Sequence, residues 1–310
     1  MNLLSKIRSS TGNSLQGITL LLTAFFIFSV QDVIIKLMSG DFALLQIVLI
    51  RTLFTIPIVF GILHFNGGIR IPKTSNLKLQ FWRGFMMFSA YLFYFLALAA
   101  LPFSLTLAVF FSGPLFIAAL SVPMLGEAVG WRRWSAIIMG FFGVLIIIQP
   151  GGESFNPATV FAVLAALAYA TSIILTRKLD EPGLSTTFYT TAVYLIASLI
   201  FSPIFAAVNF NSVHPSIQFL TKKWPQPAVQ DVLIIIGLAF CWGVGMVMLS
   251  GAYGGTAVAI LAPFEYFSIL YGILFGFIFW QEIPSVTTIV GLIFIVGGGL
   301  FIIYRENQLN

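Results

Sequence analysis

Charge is scarce in this sequence: only 8% of its 310 residues are charged, while 59% are hydrophobic. A soluble domain carries about 25% charged residues, so this composition excludes a dissolved monomer. The mean hydropathy of +1.02 indicates that the solvent of the chain is lipid. Roughly ten spans of about 20 apolar residues would use nearly the whole length and leave no room for a soluble domain.

Cysteine and catalytic motifs are also lacking. The single cysteine, Cys241, excludes an intrachain disulfide. The sequence contains no P-loop, no G-x-S-x-G motif and no His, Cys, Asp and Glu cluster at metal-ligand spacing. We therefore expect no enzyme activity, no metal site and no cofactor. The net charge of +5 is better explained by loop residues that orient helices than by a nucleic-acid partner.

Long apolar runs predict an all-α membrane protein with ten transmembrane helices. The segment 144–148 is apolar at every position, whereas strands of a membrane barrel alternate apolar and polar residues. A helix also satisfies its backbone polar groups within its own segment, as lipid requires. The spans are predicted at 14–38, 42–63, 78–99, 103–124, 131–149, 157–178, 184–208, 229–250, 256–279 and 285–304, and the long connection at 209–228 is predicted as a loop.

Lysine and arginine are distributed unevenly among the predicted loops. If the N-terminus is cytoplasmic, eleven of these residues face the cytoplasm and three, Lys36, Lys222 and Lys223, face the opposite side. The positive-inside rule therefore favours a multi-pass protein of a bacterial-type inner membrane with both termini cytoplasmic. The remaining basic residue, Arg51, lies inside the second span.

The two halves of the chain resemble each other weakly. The segment 22–37 matches 164–179 at an offset of 142, including the closing Lys-Leu, and Glu127 matches Glu282 at an offset of 155. Both glutamates lie between spans, where a structural role at a helix end is expected. Chance similarity between apolar helices is the alternative to a true repeat.

A repeat of five spans must be inverted, because an odd number of crossings turns the second copy over in the membrane. Gly143 and Gly298 keep the offset of 155. We predict two domains of five spans each, 1–152 and 153–310. Inverted repeats of this kind are common in secondary transporters, where they surround one central site.

Several motifs carry a family resemblance. The segment 98–151 has a proline in the fourth span, Leu-Gly-Glu at the end of that span and a glycine-rich fifth span. The second half has Leu-Ala-Pro-Phe-Glu-Tyr at 261–266, Glu-Ile-Pro at 282–284 and Tyr-Arg-Glu at 304–306. These motifs resemble the drug/metabolite transporter superfamily, specifically proteins with two EamA-type repeats. The closing pattern is similar to a subgroup that includes riboflavin and S-adenosylmethionine transporters.

The resemblance implies two inverted five-helix EamA repeats and a secondary active transporter of a small organic metabolite. The expected partners are that metabolite and the lipid bilayer, and proton coupling is one option. Family substrates range over amino acids, vitamins, nucleotide-like compounds and drugs, so the substrate, the direction, the coupling ion and the oligomeric state stay open. The alternative is a channel or a non-transporting membrane subunit.

Charges inside the spans are the sharpest candidates for function, because each costs at least about 2.5–3.5 kcal/mol at the bilayer centre. Glu265 and Arg51 both lie near the predicted midplane of their spans. Glu265 is predicted as a proton site or a substrate-cation site. The alternative is a structural ion pair between Glu265 and Arg51.

Gln31, Asp32 and Lys36 form a second polar group in the outer part of the first span. Asp32 and Lys36 are four residues apart and share one helix face. These residues indicate either a local ion pair or a polar outer vestibule.

Four aromatic residues with a polar handle, Tyr91, Tyr94, Trp242 and Tyr266, are candidates for stacking on a planar substrate. The alternative is ordinary packing.

Two proline motifs predict helix breaks in the fourth and ninth spans. These are Ser112-Gly113-Pro114 and Ala262-Pro263. Proline removes a backbone donor and kinks a helix, and the freed carbonyls can line a cavity. Kinks that serve packing alone are the alternative.

Overall fold

A computed structural model describes residues 3–65, 71–126, 130–152, 155–179, 181, 183–207, 214–255, 261 and 264–306. All regular secondary structure within these ranges is helical. The helices are α1 (Leu3–Met38), α2 (Leu44–Phe65), α3 (Leu77–Leu98), α4 (Phe103–Phe110), α5 (Gly113–Leu125), α6 (Trp131–Ile148), α7 (Ala158–Leu179), α8 (Gly183–Ala207), α9 (Pro215–Thr221), α10 (Val229–Gly255), α11 (Phe267–Trp280) and α12 (Val286–Glu306).

The predicted all-helical fold with ten transmembrane helices is confirmed. Seven helical segments are long and apolar enough to cross a bilayer, with α4 and α5 together forming one of them. Three shorter apolar helices, Trp134–Ile148, Phe267–Trp280 and Val286–Ile302, supply the fifth, ninth and tenth crossings. Large apolar side chains such as Phe142 and Phe240 stay exposed on the outer faces of these helices, as expected where the neighbour is lipid.

The prediction of a loop throughout 209–228 is wrong, because the short helix α9 forms within it. Pro215 occupies the first turn of α9, where its missing N–H costs nothing. Phe219 is 1% exposed and packs into the core. Ser216 Oγ donates a hydrogen bond to Leu96 O over 2.6 Å, which fixes α9 against the end of α3.

The packing of the helices follows an inverted two-fold pattern. In chain order, the five spans of the first half correspond to the five spans of the second half. The corresponding pairs are α1 with α7, α2 with α8, α3 with α10, α4/α5 with the 264–280 segment, and α6 with α12. The first helix of each half packs against the third span of the other: α1 against α10, and α7 against α3. The spans at equal positions also meet in the pairs α2 with α8, α4 with α11 and α6 with α12. Each half therefore completes its packing on the other.

Glycines set the close crossing of α6 and α12. A Cβ added to Gly143 would lie 2.6 Å from Gly291 O, and one added to Gly298 would lie 2.8 Å from Ala136 O. The offset of 155 residues that relates Gly143 to Gly298 also relates Ala136 to Gly291. The two contacts are thus symmetry mates, and they support the register of the repeat found in the sequence.

The predicted break in the fourth span is present. α4 ends at Phe110, α5 begins at Gly113, and Pro114 lies in the first turn of α5. Ser112 is buried, and its Oγ donates to Val109 O over 2.7 Å, so the side chain satisfies a carbonyl at the break.

The ninth span is interrupted in a similar way. Tyr266 separates Phe264 and Glu265 from α11, and Ser268 Oγ donates to Glu265 O over 2.6 Å. Pro263, the proline predicted to cause this break, lies outside the described residues.

The glycine crossing gives a stability test. Gly143→Ala should destabilise the protein by about 1–3 kcal/mol, because overpacking a tight contact forces backbone movement. Gly237→Ala is the matched control: a Cβ at this position in α10 meets nothing within 4 Å, and alanine favours a helix by about 1 kcal/mol. Thermal unfolding in detergent measures both, and equal melting temperatures for the two variants would contradict the tight crossing.

Candidate functional site

Arg51 of α2 is the central charge of the bundle interior and is 2% exposed. Its Nη1 lies 3.5 Å from Gln31 Oε1 of α1, at the long limit of a hydrogen bond. Its guanidinium carbon lies 4.4 Å from the centre of the Tyr91 ring of α3. A cation over a desolvated aromatic face contributes about 2 kcal/mol or more, so Tyr91 fixes the plane of the guanidinium.

Aromatic side chains of α3 and α8 pack beside the Tyr91 ring and form one wall of the site. The Tyr91 ring packs against Phe95 at 4.5 Å and against Tyr194 of α8 at 5.7 Å between centroids. Tyr194 Oη donates to Met87 O over 3.0 Å, which anchors Tyr194 to α3. The wall therefore joins α3 of the first half to α8 of the second.

A narrow cleft opens beside Arg51 between the two halves. It has room for about one water molecule, so a metabolite enters only if the helices move apart. Its lining combines one charge, four hydroxyls and two amphipathic aromatic rings: Arg51, Thr52, Thr55, Thr190, Thr191, Tyr194 and Trp242.

Two buried polar atoms near this cleft have no hydrogen-bond partner among the described residues. They are Arg51 Nε and Tyr91 Oη. A buried polar group without a partner costs about 1–3 kcal/mol, and such groups are rare in proteins. The arrangement is the one expected of a site whose remaining partner is a ligand.

Asp32 and Lys36 do not form the local ion pair that their spacing suggested. Tyr94 Oη donates to Asp32 Oδ2 over 2.9 Å, and the Gln31 side chain also hydrogen-bonds to Asp32. Lys36 Nζ instead lies 3.0 Å from Glu282 Oε1, with which it forms an ion pair. It also donates a hydrogen bond to Leu101 O over 2.9 Å. Lys36 contacts the other half through the Glu282 carboxylate and the Trp280 ring, 4.5 Å away, and its own half through the Leu101 carbonyl.

Glu282 holds three elements together at this end of the bundle. Its second oxygen accepts a hydrogen bond of 2.6 Å from the backbone N–H of Phe103, in the first turn of α4. A carboxylate at a helix start is favoured by the helix dipole. With Lys36 of α1, Glu282 forms the contact that we call the Lys36–Glu282 latch, and the structural role expected for this glutamate includes joining the two halves.

The suggested ion pair between Arg51 and Glu265 is absent from the described part of the chain. The reason is the helix packing: α2 packs against α8 and α10, whereas α11 packs against α1 and α4. Glu265 instead has Tyr169 of α7 and Tyr266 as electrostatic neighbours. The two intramembrane charges therefore belong to different polar groups.

The remaining candidates lie around the helix breaks. Tyr266 packs its ring against Phe111, 5.7 Å between centroids. The Phe110 ring, next to the break at Ser112, lies between Tyr94 at 5.1 Å and Tyr169 at 5.4 Å. A row of aromatic rings thus runs from Tyr94, which binds Asp32, to Tyr169, which neighbours Glu265.

Sequence reasoning missed the threonines of the cleft and Tyr194. Thr52 and Thr55 follow Arg51 in α2, and Thr190 and Thr191 lie one turn beyond two further threonines in α8. Polar residues one turn apart inside an apolar span were the signal that was overlooked.

A second polar network, at the opposite end of the bundle, was also missed. Glu181, between α7 and α8, accepts hydrogen bonds from the Thr74 and Ser75 hydroxyls, the Ser75 N–H and the Gln80 amide. Arg83 Nη2 donates to Thr190 Oγ1 over 2.6 Å, which connects this end to the cleft. Burial alone would raise the pKa of Glu181, but these hydrogen bonds outweigh it and lower the pKa to about 2.

Comparison with known proteins gives a consistent result. The model of the EamA-like transporter family matches residues 15–149 and 156–304. A protein of Rickettsia bellii named S-adenosylmethionine uptake transporter is 26% identical over 94% of this chain and 94% of its own length. A riboflavin transporter of Vibrio cholerae is 26% identical over 95% of each chain. A pseudopaline exporter of Pseudomonas aeruginosa is 25% identical over 90% of this chain and 93% of its own.

A solved crystal structure has the same fold. It superposes with a TM-score of 0.60 over 97% of this chain and 99% of the other, at 16% sequence identity. At this identity the likeness concerns the fold alone.

The Glu181 network predicts a pH-dependent stability. A carboxylate whose pKa falls from 4.5 to about 2 on folding stabilises the protein above pH 4.5, and that contribution is lost as the pH falls towards 2. Glu181→Gln should therefore lower the melting temperature at pH 7, with a difference from wild type that shrinks below pH 4.5. Asp41→Asn, at an exposed turn, is the control. A difference that does not depend on pH would contradict this assignment.

Proposed function

The chain belongs to the EamA-like transporter family, and from that premise we propose that it carries a small organic metabolite across the cytoplasmic membrane by alternating access. Relatives are named for S-adenosylmethionine, riboflavin and pseudopaline, and together with the resemblance described above this leads us to propose a riboflavin-, S-adenosylmethionine- or amino-acid-like substrate. The observation that carries the proposal is the cleft beside Arg51. It lies between the two halves, is too small for a metabolite and is lined by Arg51, whose Nε has no hydrogen-bond partner among the described residues.

Closure at both ends of the bundle supports alternating access. The Lys36–Glu282 latch joins the two halves at one end. The network of Glu181 with residues 74–80, together with the bond from Arg83 to Thr190, joins them at the other. A carrier cycle opens one of these contacts while the other holds, so that the cleft never connects the two sides at once.

The orientation follows from the charge distribution in the sequence. With both termini in the cytoplasm, the Lys36–Glu282 latch closes the outer face and the Glu181 network closes the inner face. The moving bodies are the two repeats, with the boundary at residues 152 and 153. We assign the proposed proton coupling to Glu265, the intramembrane carboxylate that neighbours Tyr169 and Tyr266 at the break in the ninth span.

Counterflow in proteoliposomes tests the proposed function. Vesicles loaded with unlabelled substrate should transiently accumulate the labelled compound, and the rate should saturate, because a carrier returns faster when it is loaded. S-adenosylmethionine, riboflavin and the twenty amino acids form the panel. A channel would give flux without acceleration by substrate on the far side, and a non-transporting subunit would give neither.

The latch gives a separate prediction about gating. Glu282→Gln keeps an acceptor for the Phe103 N–H and removes the charge that holds Lys36, so the outer face should open more often. In a Cys241→Ala background, a cysteine replacing Thr106, a fully buried residue of α4, should then react several-fold faster with an impermeant maleimide added outside.

The matched control for this labelling is Glu181→Gln, which weakens the opposite end and should not accelerate the reaction from outside. A correctly folded Glu282→Gln variant with unchanged labelling would contradict the gating role of the latch.

A further inference from the structure

We infer that the substrate carries an α-amino-acid group whose carboxylate binds Arg51 and whose ammonium group lies on the Asp32 side. This inference rests on the proposed function and narrows it, since it selects a zwitterionic metabolite over a neutral planar one. It depends on the bonding capacity of two opposite charges that lie close together in the interior without pairing.

Arg51 has far more donors than acceptors. A guanidinium offers five N–H groups, and the described residues supply one side-chain acceptor, Gln31 Oε1, at 3.5 Å. Nε has no partner there although the residue is 2% exposed. Burial of an incompletely paired charge is costly, and the cation–π contact with the Tyr91 ring offsets only part of that cost. The missing partner is therefore an anion or a strong acceptor.

The geometry favours a carboxylate as this acceptor. Tyr91 covers one face of the guanidinium at 4.4 Å, which leaves the donor edge for binding. Two parallel N–H bonds from such an edge match the two oxygens of a carboxylate. Tyr91 Oη, buried and without a partner among the described residues, is a further donor on the side chain that covers the guanidinium.

The threonine hydroxyls of the cleft do not fill this role. Thr55 Oγ1 donates to Arg51 O, and Thr191 Oγ1 donates to Thr187 O. Thr190 Oγ1 donates a hydrogen bond to Thr186 O and accepts one from Arg83 Nη2. The hydroxyls of Thr55, Thr190 and Thr191 are thus already used, and the anion site centres on the Arg51 edge, with Thr52 beside it in the cleft.

Asp32 provides the opposite charge. It accepts hydrogen bonds from Tyr94 and Gln31, and no lysine or arginine of the described residues lies within ion-pair distance of it. Lys36, one turn away, is held by Glu282. Arg51 is near enough to act on Asp32 electrostatically, and the Gln31 side chain contacts both residues.

A zwitterion complements this arrangement at both ends. A carboxylate on Arg51 and an ammonium on Asp32 would give each buried charge an opposite charge. A neutral ring system in the same position would leave Arg51 incompletely bonded and Asp32 without a counter-charge, and a site built to bond a polar group rejects a ligand that lacks it. The site is therefore expected to exclude neutral planar compounds.

The test compares each amino-acid ligand with its own decarboxylated amine on the purified full-length protein. Thermal-shift titration covers the twenty amino acids, S-adenosylmethionine and riboflavin. The zwitterion that stabilises wild type most should bind about 100-fold more tightly than its decarboxylated counterpart, since the amine lacks only the group that pairs with Arg51. Riboflavin should give no shift.

Arg51→Gln should bind the acid and the amine equally weakly, and Arg51→Lys should recover part of the preference, because it restores the charge without the forked geometry. Asp32→Asn should weaken the zwitterion and leave its N-acetylated derivative unaffected. Arg132→Gln, at an exposed position, and Asp41→Asn are the matched controls. Normal melting of the unliganded variants shows that they fold.

Three outcomes overturn the inference: equal binding of acid and amine by wild type, tight riboflavin binding that Arg51→Gln leaves unchanged, or no stabilising zwitterion in the panel. Counterflow separates these outcomes from failure of the proposed function. Riboflavin counterflow would leave the transporter standing and remove the zwitterion site. Specific zwitterion binding without counterflow would do the reverse.

Discussion

A charge in the interior of a lipid-embedded bundle has no bulk water to solvate it, so other side chains must take the place of water. This constraint accounts for the polar groups described above. Lys36 is solvated by a carboxylate, a carbonyl and an aromatic face, and Asp32 by a phenol and an amide. Arg51 is the exception, with a ring beneath it and an unpartnered Nε. The one incompletely solvated cation of the described interior is thus also the residue at the cleft.

The inverted repeat determines how the helices, and with them the buried polar side chains, are arranged. Each half supplies surfaces that only the other half completes, as the packing of α1 on α10 and of α7 on α3 shows. The glycine crossing of α6 and α12 brings backbones together with little polar cost, and it keeps the halves in register. The Lys36–Glu282 latch and the Glu181 network are of another kind: they are hydrogen-bonded and ionic, and they lie at the ends of the bundle. In the cycle proposed above, the tight apolar packing would serve as the hinge and the polar contacts at the two ends as gates.

The same division explains how a small closed cleft serves a transporter. Its walls come from α2, α8 and α10, and the wall residue Thr190 is bonded to Arg83 of the inner-end network. Binding at the cleft and closure of that end thus share a side chain.

The sequence alone determined the membrane setting, the ten spans, the inverted repeat and the break at Ser112 and Pro114. These features depend on hydropathy, on chain direction and on the chemistry of single residues. All three can be read from residues that are neighbours in the sequence. It also identified Arg51, Asp32, Lys36 and the tyrosines as unusual, because a polar residue in an apolar span is visible without coordinates.

The tertiary structure alone decided their partners. Lys36 and Glu282 are 246 residues apart in the chain, and no local pattern joins them. It also overruled the local pair of Asp32 with Lys36 and the distant pair of Arg51 with Glu265. Which charges meet is set by which helices pack, and helix packing depends on the shape of whole surfaces, which a linear sequence does not display.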